Sequence, residues 1–324
     1  MKHPAYHLHP NKAADRFAFI DAIKRLERLG EGGLADYTYH GLGGPYLEDF
    51  RLLYEFCPDI GMVSIESNGE TYKRQQFHLP SSRVELVRND VTSYISQYDP
   101  DNMKSVFWLD FSKLRYEYFE NFTALLGLVE EMSMIKVTLR CEPKAYGPYE
   151  DENLRKRETE RFCSIFEEFM PEFPTVLPGN LEEFAGLLQN MLRVAVGQIL
   201  PSSATTLTFL PVSSFCYQDT KTGMFTLTGV VCDNSRRDEV ERVYGDWAFA
   251  NLSWGPPILI DVPILSTKER LHLQHLLPSN STPGTTLQQA LGYRIDNSER
   301  RTEAAMERYA AFHRYSPYVL RGVP

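Results

Sequence analysis

Three carboxylates and a glycine cluster stand where a chain could bind a nucleoside and move a proton. Residues 39–50 read "YHGLGGPYLEDF", with Gly41, Gly43 and Gly44 inside four positions. Glu66 ends "GMVSIE", Asn89 and Asp90 end "RVELVRND", and Asp110 ends the apolar run "VFWLD". Glycines let a backbone approach a ligand closely, but they also make ordinary tight turns. A carboxylate accepts hydrogen bonds from ribose hydroxyls or takes a proton from a reacting group. Asp110 is open to three readings: catalytic base, substrate ligand, or cap of the next helix.

These residues need a scaffold that brings loop ends together, and the hydrophobic pattern supplies one. "LADYTYH", "GMVSIES" (61–67), "RVELVRNDV" (83–91), "SVFWLDFS" (105–112) and "MIKVTLRCEP" read as strands. Between them "LEDFRLLYEF", "TYKRQQFHL" and "FENFTALLGLVEEM" read as helices, with Leu47, Phe50, Leu53 and Tyr54 on one face of the first. Alternating strands and helices predict crossovers and a mostly parallel α/β sheet. Ahead of the first strand, residues 11–29 form an amphipathic helix, with Phe19, Ile20, Ile23 and Leu26 recurring and Asn11 as its cap; Gly30, Gly32 and Gly33 stop it. Residues 149–200 read as helices. "TTLTFLPVSSFCYQ" and "MFTLTGVVCD" flank "DTKTG" as an antiparallel hairpin, and "SERRTEAAMERYAAFHRYSPY" as a terminal helix.

Glycine loop, Glu66, Asp90 and Asp110 at four successive strand ends, with a closing hairpin, resemble the class I S-adenosylmethionine-dependent methyltransferases. The resemblance covers roughly residues 11–235 and implies a Rossmann-like domain over residues 1–235, carrying an N-terminal helix and a helical insertion. Residues 236–324 form a C-terminal extension packed on it. It also implies S-adenosylmethionine as cofactor and methyl transfer to an acceptor that the sequence leaves open. By the same resemblance, Gly41, Gly43 and Gly44 lie beside the methionine part of the cofactor and Lys12 near its carboxylate. Glu66 holds the ribose, Asp90 the adenine amino group, and Asp110 faces the transferred methyl group. Two departures stand out. Tyr39 occupies the place of the acid that often opens the family loop, and "LDFSK" replaces the Asp/Asn-Pro-Pro-Tyr of amino-methylating nucleic-acid enzymes.

A different class of function also fits: a non-catalytic methyltransferase-like subunit that contacts a partner through Trp247, Trp254, Tyr309, Phe312 and Tyr315 of the extension. Packing of the tail on its own sheet explains the same aromatics. A net charge of −9 over 324 residues disfavours a surface that coats nucleic acid, although a local basic cleft is compatible with it. Arg155, Lys156, Arg157 and Arg161 read as a solvated helix face. Five scattered cysteines without CxxC spacing point to a reducing cytoplasm. The charged N-terminus is not a signal peptide, and no apolar stretch is long enough to span a membrane. His3, His7 and His9, and His272 with His275, have metal-compatible spacing but no acid or cysteine completing a site; they read as surface or core residues. Neither a Gly-x-Ser-x-Gly nor a Walker-type motif is present.

Overall fold

The computed structural model describes residues 9–29, 32–146, 151–219, 221–278 and 283–315. Gly30, His3 and His7 lie outside the described residues. In chain order the elements are α1 (Pro10–Leu26), β1 (Tyr37–Gly41), α2 (Glu48–Phe56), β2 (Gly61–Ile65), α3 (Gly69–His78), β3 (Val84–Val87), α4 (Val91–Ser96), β4 (Lys104–Asp110), α5 (Tyr116–Leu126) and β5 (Met134–Arg140). Then come α6 (Glu152–Ile165), α7 (Leu181–Ile199), β6 (Leu207–Gln218), β7 (Gly223–Asp233), α8 (Arg237–Tyr244), β8 (Ile258–Ile260), α9 (Thr267–Gln274), α10 (Pro283–Leu291) and α11 (Glu299–Phe312).

The strand order is β3-β2-β1-β4-β5-β7-β6-β8. β1 runs parallel to β2 and β4, β2 to β3, and β4 to β5, while β7 is antiparallel to β5. This is the Rossmann-like methyltransferase sheet expected from the sequence. Its central strands β4 and β5 are buried on both faces, so they read as largely apolar runs and not alternating ones, whereas the edge strand β3 keeps Glu85 exposed. Val106, Phe107, Trp108 and Leu109 of β4 are all buried. The register pairs Gly41 with Ser64 and with Trp108, Ile65 with Val87, and Asp110 with Thr138. The carboxyl ends of β1 to β4 therefore form one edge. Strand order reverses between β1 and β4, and in open α/β sheets the ligand crevice opens at such a reversal.

The chain divides into two compact units. The larger comprises residues 19–216 and 222–258 and carries the parallel sheet; the smaller takes in the described parts of 1–18, 217–221 and 259–324. In the smaller unit Leu265, Leu273, Leu287, Met306 and Tyr309 form a core of their own. Asn11 serves there as a connector. Its backbone N–H donates to Asp219 Oδ1 at 2.9 Å, its Nδ2 to Gln218 O at 3.1 Å, and its Oδ1 accepts from Val262 N–H at 2.8 Å. It is not the cap of α1, because Pro10 takes the first helical position, where a missing N–H costs nothing.

Two further expectations are corrected, and one open alternative is decided. Tyr54 is 45% exposed, so the buried stripe of α2 is only Phe50 and Leu53, with Leu47 buried just ahead of the helix. β3 stops at Val87 rather than running to residue 91, because Asp90 caps α4. Trp247, Tyr309 and Phe312 are buried rather than exposed. Trp247 packs edge-on against Tyr244 and Phe249, and Tyr309 belongs to the small core. Three of the five candidate partner anchors are therefore spent on internal packing, while Trp254 and Tyr315 are partly exposed.

Two basic side chains of the sheet strands, Lys136 and His40, are buried. Lys136 of β5 is fully buried, with its ammonium 4.8 Å from the Phe19 ring centroid and 4.7 Å from that of Trp108. Aromatic faces attract such a cation. His40 of β1 stacks on Phe107 with centroids 4.3 Å apart, and its Nδ1 lies 2.9 Å from the Tyr94 hydroxyl. Burial pushes its pKa down from 6.5 to about 3, so the folded protein holds it neutral. An unfolded chain protonates it below about pH 6.5, so this stabilisation is complete above that pH and is lost as pH falls towards 3. Urea unfolding at pH 7 and at about pH 4.5 should show the wild type losing about 2–3 kcal/mol more than His40→Phe over that interval. Equal losses in the two proteins would contradict this role.

Candidate cofactor cleft

A cleft of about 430 Å³ opens at the carboxyl edge of the sheet. Leu42 from the glycine loop, Ile65, Glu66 and Ser67 at the end of β2, Asn89 to Thr92 following β3, and Asp110 to Ser112 at the end of β4 line it. Glu117 and Tyr118 of α5 complete the wall. Glu66, Asp90 and Asp110, far apart in sequence, thus share one cavity.

Glu66 is half-buried, and its Oε1 accepts the Asn68 N–H at 2.6 Å. Burial pushes its carboxyl above the usual range, against backbone hydrogen bonds from Asn68 and Ser67 that pull it down. Asn68 in turn caps α3, accepting from the Glu70 and Thr71 N–H groups at 3.0 Å. Asp90 is exposed and caps α4, accepting the Ser93 N–H at 2.9 Å. That bond from the Ser93 backbone, helped by the Ser93 side chain, holds its carboxyl below the usual range. One carboxylate oxygen thus serves the cap, which leaves lone-pair capacity on the other. Asp110 is half-buried at the last position of β4. It does not cap α5, whose cap position is Arg115 without a side-chain bond.

The three glycines do different work. A Cβ at Gly41 would lie 2.5 Å from the Tyr39 hydroxyl oxygen, so this glycine makes room for the tyrosine ring. Gly43 has φ +60°, and a Cβ there would lie 2.6 Å from Ser64 Oγ and 2.7 Å from Leu47 Cδ2. Gly44 has φ +55° with open space where a Cβ would point, and its carbonyl accepts from Gln75 Nε2 at 2.9 Å. Of the loop, Leu42 is the residue that lines the cavity. Gly44→Ala should cost only the left-handed backbone penalty, about 1 kcal/mol, whereas Gly43→Ala adds overpacking and should cost about 2–4 kcal/mol. Urea denaturation of the two variants measures this; equal losses would contradict the assignment of Gly43 to packing.

Tyr39, which stands where the family loop often has an acid, donates its hydroxyl to Asp49 Oδ2 at 2.5 Å. An acid is therefore present at this loop, supplied by α2 rather than by β1. Lys12 belongs to the smaller unit, where its backbone N–H donates to Asp219 Oδ2 at 2.8 Å. Among the described residues no group of three or more His, Cys, Asp or Glu is placed to hold a metal ion. His272 and His275 pack edge to face, and His272 Nε2 lies 3.0 Å from Ala290 O.

Sequence reasoning missed the α5 side of the cleft. Phe111 and Tyr118 stack in parallel, with centroids 3.8 Å apart and planes 3° apart. Burial raises the Tyr118 pKa, partly offset by the Arg115 guanidinium. Glu117 Oε1 accepts from Arg115 Nη1 at 2.9 Å. The available signal was the first turn of α5, "YEY", which returns to the strand end that carries "DF".

The strand order, with β7 antiparallel beside β5, is that of a Rossmann-like methyltransferase sheet. The chain belongs to the family described as "Putative O-methyltransferase", whose model matches residues 4–321. This membership agrees with methyl transfer from S-adenosylmethionine, the reaction the sequence resemblance implies, and leaves the acceptor unidentified. No curated protein sequence matches the chain. Solved structures similar to it include a probable spermidine synthase from Corynebacterium glutamicum, at 12% identity and a TM-score of 0.40, covering 78% of this chain and 81% of that one. A putative O-methyltransferase from Klebsiella pneumoniae is 12% identical with a TM-score of 0.38, covering 70% and 83%. The plantazolicin methyltransferase BpumL in complex with SAH is 10% identical with a TM-score of 0.37, covering 67% and 84%. Among the described residues no helix is long and apolar enough to cross a membrane.

Proposed function

We propose that this cleft binds S-adenosylmethionine and that Asp110 serves the acceptor hydroxyl. The observation that carries the reading is that Glu66, Asp90 and Asp110 line one cavity at three successive strand ends. The residues suit such a ligand. Glu66, already fixed by the Asn68 N–H, has lone pairs left for ribose hydroxyls. Asp90 has an oxygen for an amino group, and Leu42 offers apolar contact beside a glycine turn. Gly41, Gly43 and Gly44 shape that turn and keep it close to the methionine part of the ligand. The donor, when bound, supplies an electrophilic methyl group on a sulfonium.

Asp110 then orients the acceptor and takes its proton as the oxygen attacks. Much of the rate in such a transfer comes from holding donor and acceptor in line. Isothermal calorimetry with S-adenosylmethionine tests the binding step: saturable binding supports the reading, and none contradicts it. The cytoplasm is the proposed location, supported by five free, buried cysteines. A non-catalytic partner-binding role has less support, because Trp247, Tyr309 and Phe312 are buried and only Trp254 and Tyr315 remain partly exposed.

A further inference from the structure

We propose that Thr92, held by Asn121, binds the ring nitrogen beside the amino group of the donor's adenine, which makes Asn121 a positioning residue for the donor. The proposal rests on the methyltransferase reading and adds to it two residues outside the glycine loop and the strand-end acids. Asn121 sits among the buried residues of α5, with Phe119, Phe122, Leu125 and Leu126, and is only 3% exposed. Its Nδ2 donates to Thr92 Oγ1 at 3.1 Å. Thr92 is exposed and lines the cleft two residues after Asp90. Burying an amide costs free energy that its hydrogen bonds must offset. A bond to a hydroxyl that water satisfies equally well offsets little of that cost. What the bond does achieve is to fix how a cleft side chain points.

The helix that carries Thr92 depends on such tethers. α4 has six residues, too few to be stable on its own. Its surroundings hold it instead. The Tyr94 hydroxyl meets His40 Nδ1 of β1 at 2.9 Å, and Tyr98, just after the helix, bonds Ser105 of β4. Of these three bonds, the one from Asn121 ends on a side chain that lines the cavity.

The same bond sets the polarity of the hydroxyl. With Oγ1 accepting from Asn121, the Thr92 proton turns away from that amide, and among the described residues no group accepts it. Thr92 thus offers a donor near the acceptor Asp90, whose Oδ1 caps α4. A donor beside an acceptor matches the edge of adenine, where the amino group donates and the ring nitrogen next to it, N1 or N7, accepts. Asp90 takes the amino group and Thr92 the nitrogen. Two bonds at one edge fix the orientation of the base, which a single bond leaves free to swing. Fixing the base also fixes where the sulfonium at the far end of the donor arrives, and methyl transfer depends on that placement.

Calorimetry on the full chain with S-adenosylhomocysteine and its 1-deaza and 7-deaza analogues, in which C–H replaces N1 or N7, reads this directly. The wild type should bind one of the two analogues about tenfold more weakly than the parent compound. Thr92→Val should weaken the parent by about tenfold and bring it level with that analogue, whereas Thr92→Ser, which keeps the hydroxyl, should restore most of the affinity. Asn121→Leu should weaken the parent by about threefold and add nothing to Thr92→Val, because it acts through that residue. The analogue series on the wild type stands if a variant does not fold. Equal affinity of the wild type for all three compounds, or Thr92→Val weakening all three alike, overturns the role of Thr92 while leaving the methyltransferase reading intact. Losses from Asn121→Leu and Thr92→Val that add in full overturn the positioning role of Asn121. Failure of the wild type to bind S-adenosylhomocysteine overturns the methyltransferase reading, and this inference with it.

Discussion

Glu66→Gln is expected to weaken S-adenosylmethionine binding by about ten- to a hundredfold, measured by calorimetry at neutral pH. Hydrogen bonds to a charged group contribute about 1.5–3 kcal/mol, and the amide keeps the shape but loses the charge and one acceptor. The free protein should not suffer. Burial raises the Glu66 pKa above its ordinary value, so ionising this carboxylate costs more in the folded protein than in the unfolded chain. The Gln side chain can still accept the Asn68 N–H, and ligand-free thermal unfolding should fall no lower than that of the wild type. The pH dependence carries a sign. The ribose is bound by the carboxylate, so wild-type affinity should decline as pH falls through the raised pKa of Glu66, at a less acidic pH than for an ordinary glutamate. In Glu66→Gln that decline should vanish. Unchanged affinity in the variant would remove Glu66 from the site.

Asp110→Asn should separate binding from chemistry. Asparagine fits the same end of β4 but cannot take a proton, and loss of a general base lowers rates by about a hundred- to ten-thousandfold. With labelled S-adenosylmethionine and an acceptor preparation that the wild type methylates, kcat should fall by that amount while donor affinity stays within about threefold. A fall in donor affinity with kcat preserved would make Asp110 a binding residue. Little change in either would return it to the plain end of a strand.

Much of the sheet was legible because parallel strands buried on both faces leave unbroken apolar runs. "VFWL" is such a run, "MIKVTL" is interrupted only by Lys136 and Thr138, and the hairpin β6–β7 announces itself through its glycine-containing turn. The strand-end acids were legible for the same reason: once a strand is placed, the next polar residue falls at its carboxyl edge. Asn11 was misread because a polar residue near a helix start looks like a cap, and only the fold shows Asp219 and Val262 meeting it. Trp247, Tyr309 and Phe312 stayed open between partner contact and internal packing, because aromatics in a polar segment fit both until their packing partners are known. The Phe111–Tyr118 stack could not be read at all, since it depends on how α5 turns back towards the end of β4. The distinction between Gly43 and Gly44 was likewise hidden. It lies in Ser64 and Leu47 crowding one position and open space facing the other.

The central claim is that the donor occupies the cavity ending β2, β3 and β4. Ultraviolet crosslinking of methyl-labelled S-adenosylmethionine, followed by peptide mapping, tests it most directly. The account predicts label on peptides containing Leu42, Glu66, Asp90 to Thr92 or Phe111 to Tyr118, competed away by unlabelled donor. Competable label confined to peptides that contribute none of these residues would contradict it.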